Sequence, residues 1–387
     1  MSCLLFSQRS INFVHGTGAQ LTYLLREYPR IRPLNYGYRD PGFSDAAVHI
    51  ESFWHHIWPF QSRGRGFVTR VGDRLPFAIW QGHRLTKRGQ SIVKRLTVTH
   101  ADATHSVVLV HDENCATRFN SMQSQINLPY VVILYDMMHL GQPSPDDLPE
   151  LGICLSNALA TYALSRPLKQ VATDLGAKDV RPIGFYRPRR STFTKLQNEL
   201  AASDALRILV MADAKKDTFL ELISAVKSVS KKQIDQKIEI HFVGNHRNYP
   251  SLCYDSGVDI RFYGFVDAEL RDSIASSCDI AYLAGSTESP DQCPLAKYSI
   301  PSKIGDFAAL GLPFIGRVSV GSAAHEMISN EMKGFAYVAV STTEIKEALI
   351  LAANNSGLRN EMSRLASEYA NTNLYLPNAT TDELVFR

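Results

Sequence analysis

Short apolar runs, each ending in a polar residue or glycine, alternate with stretches of helical spacing through the second half of the chain. RILVMA (207–212), IEIHFVG (238–244), DIRFYGFV (259–266), DIAYLAG (279–285) and PFIG (313–316) read as buried strands. Helical periodicity falls between them, at 217–229, 269–277 and 299–311. Strand–helix alternation of this kind predicts a parallel, doubly wound α/β sheet. Ligands of such sheets bind beyond the carboxyl ends of the strands. Those ends lie at 211–216, 244–246, 264–266 and 285–288.

The first half alternates less regularly. LLFSQ (4–8) reads as an opening strand, and GTGAQLTYLLREY (16–28) as a glycine-rich turn that opens a helix. VVLVHDE (107–113) and YVVILYD (130–136) are apolar strands with polar tips, and GICLS (152–156) and VRPIGFY (180–186) continue the series at α/β spacing. The polar, arginine-rich stretch 187–206 reads as a linker. The expected organisation is therefore a Rossmann-like domain over 1–186, that linker, a second Rossmann-like domain over 207–370, and a tail over 371–387 that packs back on the first domain. No repeat relates the halves and no segment is of low complexity.

A length of 387 residues exceeds one ordinary core, in keeping with two domains. With 45% hydrophobic and 20% charged residues, the composition is that of a soluble globular protein. No apolar run reaches membrane-spanning length, and MSCLLFSQRS lacks the cationic start of a signal peptide. Six scattered cysteines without a CxxC fit reduced thiols and a cytoplasmic location. The sequon at Asn378 is then a chance match. Charge is uneven. Residues 1–190 carry 22 Lys and Arg against 14 Asp and Glu, and the remainder 19 against 24. A basic first half suits an anionic partner or surface. Within it, residues 53–95 interleave Phe53, Trp54, Trp58, Phe60 and Trp80 with Arg63, Arg65, Arg70, Arg74 and Lys87. That mixture reads first as an ordinary excursion covering the sheet, with aromatics inward and arginines outward, and otherwise as a surface for an anionic membrane or a polyanion.

Candidate chemistry clusters at the predicted strand ends. In SIPSKIGDFAALGLPFIG (299–316), Pro301 suits a first helical turn, and Gly311 followed by Pro313 ends the helix. Ser302, Lys303 and Asp306 sit at its N-terminal end. A lysine beside a helix N-terminus suits a diphosphate, and a carboxylate one turn on suits a ribose. The same Lys303–Asp306 spacing also fits a surface ion pair. Lys215 and Lys216 follow one strand directly, where cations stabilise a diphosphate leaving group. Glu288 and Asp291 follow another. His111 ends the strand of the VVLVHDE run, where a histidine can bond a sugar hydroxyl or cap a loop. HGTGAQ (15–20) is no dinucleotide fingerprint, because its third glycine position is Leu21. Its Gly16 and Gly18 instead let the backbone pass close to a phosphate or sugar. No Walker loop, HExxH or GxSxG is present, and no histidine pair has metal-ligand spacing.

Together these segments resemble the GT-B glycosyltransferases, most closely the retaining family 4 group. RILVMADAKKDTFLELISAV resembles that family's lysine-bearing strand–loop–helix, and PSKIGDFAALGLPFI its P-S-K-x-x-E stretch. VVLVHDEN resembles the strand whose histidine contacts the transferred sugar. The resemblance implies two Rossmann-like domains facing across a cleft. It implies catalytic roles for His111, Lys216 and an acid of the loop after the fourth strand, Glu288 or else Asp291. It implies donor contacts at Gly16, Gly18, Gly244, Phe265, Ser302, Lys303 and Asp306. The sequence departs from the family at Asp213, where arginine is common, at Tyr298, where the first of two paired glutamates stands, and at Asp306 in place of the second.

The implied reaction moves a sugar from a nucleotide diphosphate to a glycan or lipid-linked glycan, with retention, without a cofactor and without a metal. The absence of any D-x-D is consistent with the last point. The implied location is the cytoplasm, peripheral to the inner membrane face, and nucleic acid is not an expected partner. Two alternatives stay open: a nucleotide-sugar epimerase of the same fold, and a non-catalytic nucleotide-sugar-binding subunit.

Overall fold

The computed structural model describes residues 2–7, 31–35, 103–110, 116–134 with gaps, 149–183, 205–211, 216–229, 232–244, 249 and 257–374. The chain divides between Ile183 and Gly184 into two compact units.

The first unit is built on a parallel sheet of six strands. They are β1 (Ser2–Ser7), β2 (Ile31–Asn35), β3 (Ala103–Val110), β4 (Tyr130–Leu134), β5 (Thr161–Ala163) and β6 (Val180–Pro182). Their spatial order is β2-β1-β3-β4-β5-β6. Every side chain of β4 is buried, which is why that run carries no polar alternation. The expected strand GICLS belongs instead to helix α1 (Pro149–Ser156). Its buried residues, Leu151, Cys154 and Leu155, follow helical spacing, and Pro149 stands at its start, where a missing N–H costs nothing. The fifth strand is TYA (161–163), too short to show a period of its own. Helix α2 (Arg166–Asp174) follows, with Ser165 Oγ accepting the Leu168 N–H.

The second unit holds β7 (Ala205–Met211), α3 (Lys216–Ser228), β8 (Lys237–Val243), β9 (Asp259–Gly264), α4 (Ala268–Ser276), β10 (Ile280–Ala284), α5 (Pro294–Tyr298), α6 (Lys303–Ala309), β11 (Phe314–Arg317), α7 (Ala323–Glu331), β12 (Ala336–Ala339), α8 (Thr342–Asn354) and α9 (Ser356–Asn373). β7 starts inside the stretch expected to be linker, and α9 runs past the expected domain end at 370. From residue 375 the tail lies outside the described residues, as does its expected packing on the first domain. All strands are parallel, in the order β12-β11-β10-β7-β8-β9.

Alternation along β7 and β8 gives the sheet two different faces. Ile208, Val210, Ile240, Phe242 and Tyr282 pack with Phe219, Leu222 and Ile223 of α3 and Ile345 and Leu349 of α8. The Phe219 and Phe242 rings meet edge-on with centroids 5.1 Å apart. The opposite face of β7, β8 and β9 carries a polar cluster beside the buried Leu209, Met211 and Val243. There buried Glu239 Oε2 lies 3.5 Å from Arg261 Nη2, 3.7 Å from Arg207 Nε and 3.7 Å from His241 Nε2. The Tyr263 hydroxyl hydrogen-bonds His241 Nδ1 at 2.9 Å.

Candidate functional site

The strand order of the second unit reverses between β7 and its neighbour β10. The chain leaves β7 toward β8 and β9 on one side, then returns to β10, β11 and β12 on the other. In doubly wound sheets the helices after two such strands pass to opposite faces, and the switch point at their carboxyl ends is where a ligand crevice forms. Lys216 opens α3, the helix after β7, and is exposed. After β10 comes the loop 285–293 with Glu288 and Asp291, both exposed. The Glu288 N–H donates to Ser286 Oγ at 3.3 Å, and the Asp291 N–H to Ser289 Oγ at 3.4 Å. These short side chain–backbone turns set the loop's course.

The adjacent strand ends complete this edge. Gly244 directly follows β8 and takes φ 137°, a conformation open to glycine, and its N–H donates to the Gly264 carbonyl at 2.8 Å. That bond carries the β8–β9 pairing beyond the strands and brings Phe265 to the same edge. The Phe265 ring is 67% exposed, which is high for a large apolar side chain.

The helix expected over 299–311 is α6, shorter at both ends, with Pro301 just before its first turn rather than in it; the short helix α5 precedes it separately. Pro301 disfavours helical backbone at Ile300, so the chain breaks there. α6 starts only after Ser302, whose carbonyl accepts the Gly305 N–H at 3.1 Å and the Asp306 N–H at 3.4 Å. As the crossover from β10 to β11, α6 begins at the carboxyl edge, and so places Ser302, Lys303 and Asp306 there. Its far end is closed as the sequence predicts. Gly311 takes φ 63°, its N–H bonds the Ala308 carbonyl, and the Leu312 N–H bonds that of Phe307. Ser363 of α9 donates its hydroxyl to the Gly311 carbonyl.

Thus Lys216, Gly244, Phe265, Glu288, Ser302, Lys303 and Asp306 share one edge of the second sheet. Gly16, Gly18, His111 and Lys215 lie outside the described residues, as does the segment 53–95. Among the described residues no group of three or more His, Cys, Asp or Glu is placed to hold a metal ion, and no helix is long and apolar enough to cross a membrane.

Beneath the edge lies a polar group that strand-end reasoning does not find. Tyr282 of β10 is buried and donates its hydroxyl to the Thr218 carbonyl in the first turn of α3 at 2.8 Å. Burial holds its phenol well above the ordinary range, with the Glu221 charge adding to the rise. Arg317, the last residue of β11, is buried and forks onto Glu221 of α3, with Nη2 to Oε1 at 3.2 Å and Nε to Oε2. The visible signal is an arginine at the end of an apolar strand; its partner is 96 residues away in sequence.

No family model matches the chain, and no curated protein does. Solved structures do. HepE from Anabaena, in complex with UDP and glucose, superposes with a TM-score of 0.63 at 13% identity, over 97% of this chain and 96% of that one. Sucrose-phosphate synthase from Thermosynechococcus elongatus gives 0.65 at 12% identity, over 97% and 95%. WaaG, a glycosyltransferase involved in lipopolysaccharide biosynthesis, gives 0.56 at 12% identity, over 96% and 95%. The chain has the GT-B fold. The expectation of two parallel α/β sheets is thereby met, one in each unit, with strand order 2-1-3-4-5-6 in the first and 3-2-1-4-5-6 in the second, each counted within its own unit.

Proposed function

We propose that this protein is a glycosyltransferase that moves a sugar from a nucleotide-diphosphate donor to a glycan or lipid-linked glycan, with retention and without a metal. The observation that carries the reading is the switch point between β7 and β10, with Lys216 in the helix after the one strand and the Glu288 loop after the other. The UDP and glucose bound by HepE, on the same fold, support it.

In this reading the diphosphate lies against Lys216, Lys303 and the turn at Ser302, and Asp306 binds the ribose hydroxyls. The backbone at Phe265 meets the base, and Gly244 lets the chain pass close to the donor. The anomeric C–O bond breaks as negative charge grows on the leaving diphosphate, where the two lysines stabilise it. The leaving phosphate takes the acceptor proton, so attack on the same face needs no enzyme nucleophile. Glu288 or Asp291 contacts the donor sugar, His111 orients it, and Gly16 and Gly18 border the phosphates.

Thermal stabilisation by UDP-, GDP-, ADP- and CMP-sugars, read on wild type, Lys303→Ala and Asp306→Ala, tests the reading. One nucleotide is expected to raise the melting temperature of wild type and of neither variant. No shift with any of them sinks it.

Buried Tyr298, standing where the resemblance puts a glutamate, favours a second reading, a non-catalytic nucleotide-sugar-binding subunit. A donor that stabilises the protein yet is never consumed, with any acceptor offered, would decide for it.

A further inference from the structure

We infer that Arg317 is a positioning residue that sets both walls of the crevice at once. The inference rests on the donor site proposed above. Through its side chain, Arg317 grips Glu221 and so fixes α3, whose first residue is Lys216. Through its backbone it fixes the start of the Glu288 loop, because its carbonyl accepts the Gly285 N–H at 2.9 Å. The next contact repeats the pattern, with the Ser286 carbonyl accepting the Ser319 N–H at 2.9 Å. Gly285 leaves no latitude. A Cβ there would stand 2.8 Å from both the Arg317 carbonyl oxygen and Val318 Cγ1, so the loop lies directly on the end of β11.

Stability alone is a weak reason for this arrangement. A buried ion pair is often replaced by apolar residues of similar size with no loss of stability. A guanidinium fork, by contrast, fixes direction as well as distance. Tyr282 adds a third point, since its hydroxyl holds the Thr218 carbonyl one turn before Glu221. α3 is thus tied to β10 and β11 through its first two turns, and Lys216 stands two residues before the nearer tie.

The test is a double-mutant cycle on UDP, GDP and ADP affinity in the full-length chain. Its variants are Lys216→Ala, Glu221→Met with Arg317→Met, and the three changes together. Replacing both partners leaves no unpaired buried charge, so the melting temperature should hold. Arg317→Lys, which keeps the charge and loses the fork, serves as the second variant should the methionine pair fail to fold. The expected result is binding weakened on the order of tenfold by the methionine pair, and by Arg317→Lys. Neither change should weaken it further once Lys216 is alanine. Hydrogen exchange in the first turn of α3 should quicken in the same variants.

Losses that add fully in the triple variant, or unchanged binding and exchange in both Arg317 variants, would overturn the inference and leave the donor site standing. Lys216→Ala without effect on a nucleotide that wild type binds would show that Lys216 does not contact it, and would remove the donor site's lysine and this inference together. Failure of wild type to bind any of the three nucleotides would overturn the donor site itself, and the inference with it.

Discussion

At the scale of single residues, His241 shows competing effects on one proton. Burial holds its imidazole below the usual histidine range, and the nearby Arg261 charge lowers it further. Glu239 pulls the other way, and Arg207 adds a smaller lowering. The Glu239 carboxylate is already shared among Arg207, Arg261 and Lys237, whose Nζ is 3.6 Å from Oε1, so little of its field remains for a protonated ring. The folded protein therefore binds this proton less readily than the unfolded chain, whose histidine titrates near ~6.5. Stability from this group is complete above that pH and is lost as pH falls below it. Melting temperatures of wild type and His241→Gln, taken between pH 7.5 and 5.5 (roughly one unit either side of the unfolded value), should separate accordingly. Wild type should lose more on acidification than the variant. Parallel losses would show that protonation of His241 contributes nothing.

Single elements show where sequence pattern is enough and where it stops. The strands of the second unit announce themselves either as short apolar runs, in β10 and β11, or as apolar residues alternating with Glu239, His241 and Arg261, in β8 and β9, each run ending at the ligand edge. For that reason the ends carrying Lys216, Gly244, Phe265 and Glu288 were legible without a structure. GICLS misleads for the same cause, because a short apolar run has no period of its own. Only the spacing of Leu151, Cys154 and Leu155 over the longer stretch from Pro149 marks a helix. The break between α5 and α6 is written in Pro301, whose effect falls on the residue before it. The Arg317–Glu221 pair has no local signature, since nothing in either segment names the other. Helix α8 is the opposite case, with its start spelled out by S-T-T-E at 341–344. Ser341 Oγ accepts the Glu344 N–H at 3.2 Å, and Glu344 Oε2 accepts the Val340 N–H at 2.7 Å. Because α8 covers the apolar face of the sheet, loss of this cap should be felt globally. Ser341→Ala is expected to cost about 1 kcal/mol in chemical denaturation. A change within error would mean that water replaces the hydroxyl fully.

At the scale of the whole molecule, fold and charge each divide the chain in two. Each unit has its own sheet, and the second has its own buried core. The second unit has the strand order 3-2-1-4-5-6 counted within itself, and the excess of Lys and Arg falls in the first half of the sequence. If the donor is held by the crevice between β7 and β10, the fragment 184–378 should suffice for nucleotide binding. It should unfold cooperatively and bind the nucleotide selected by the full chain, more weakly by whatever Gly16, Gly18 and His111 contribute. If the basic half meets an anionic acceptor surface, the full chain should sediment with anionic vesicles at low salt and be released as salt screens the attraction. The fragment should remain in solution. The two halves of the experiment are independent. A fragment that folds but binds no nucleotide moves the donor site out of the second unit alone. A full chain that ignores anionic vesicles removes the membrane from the proposed function, and leaves the uneven charge to be explained by a soluble anionic acceptor.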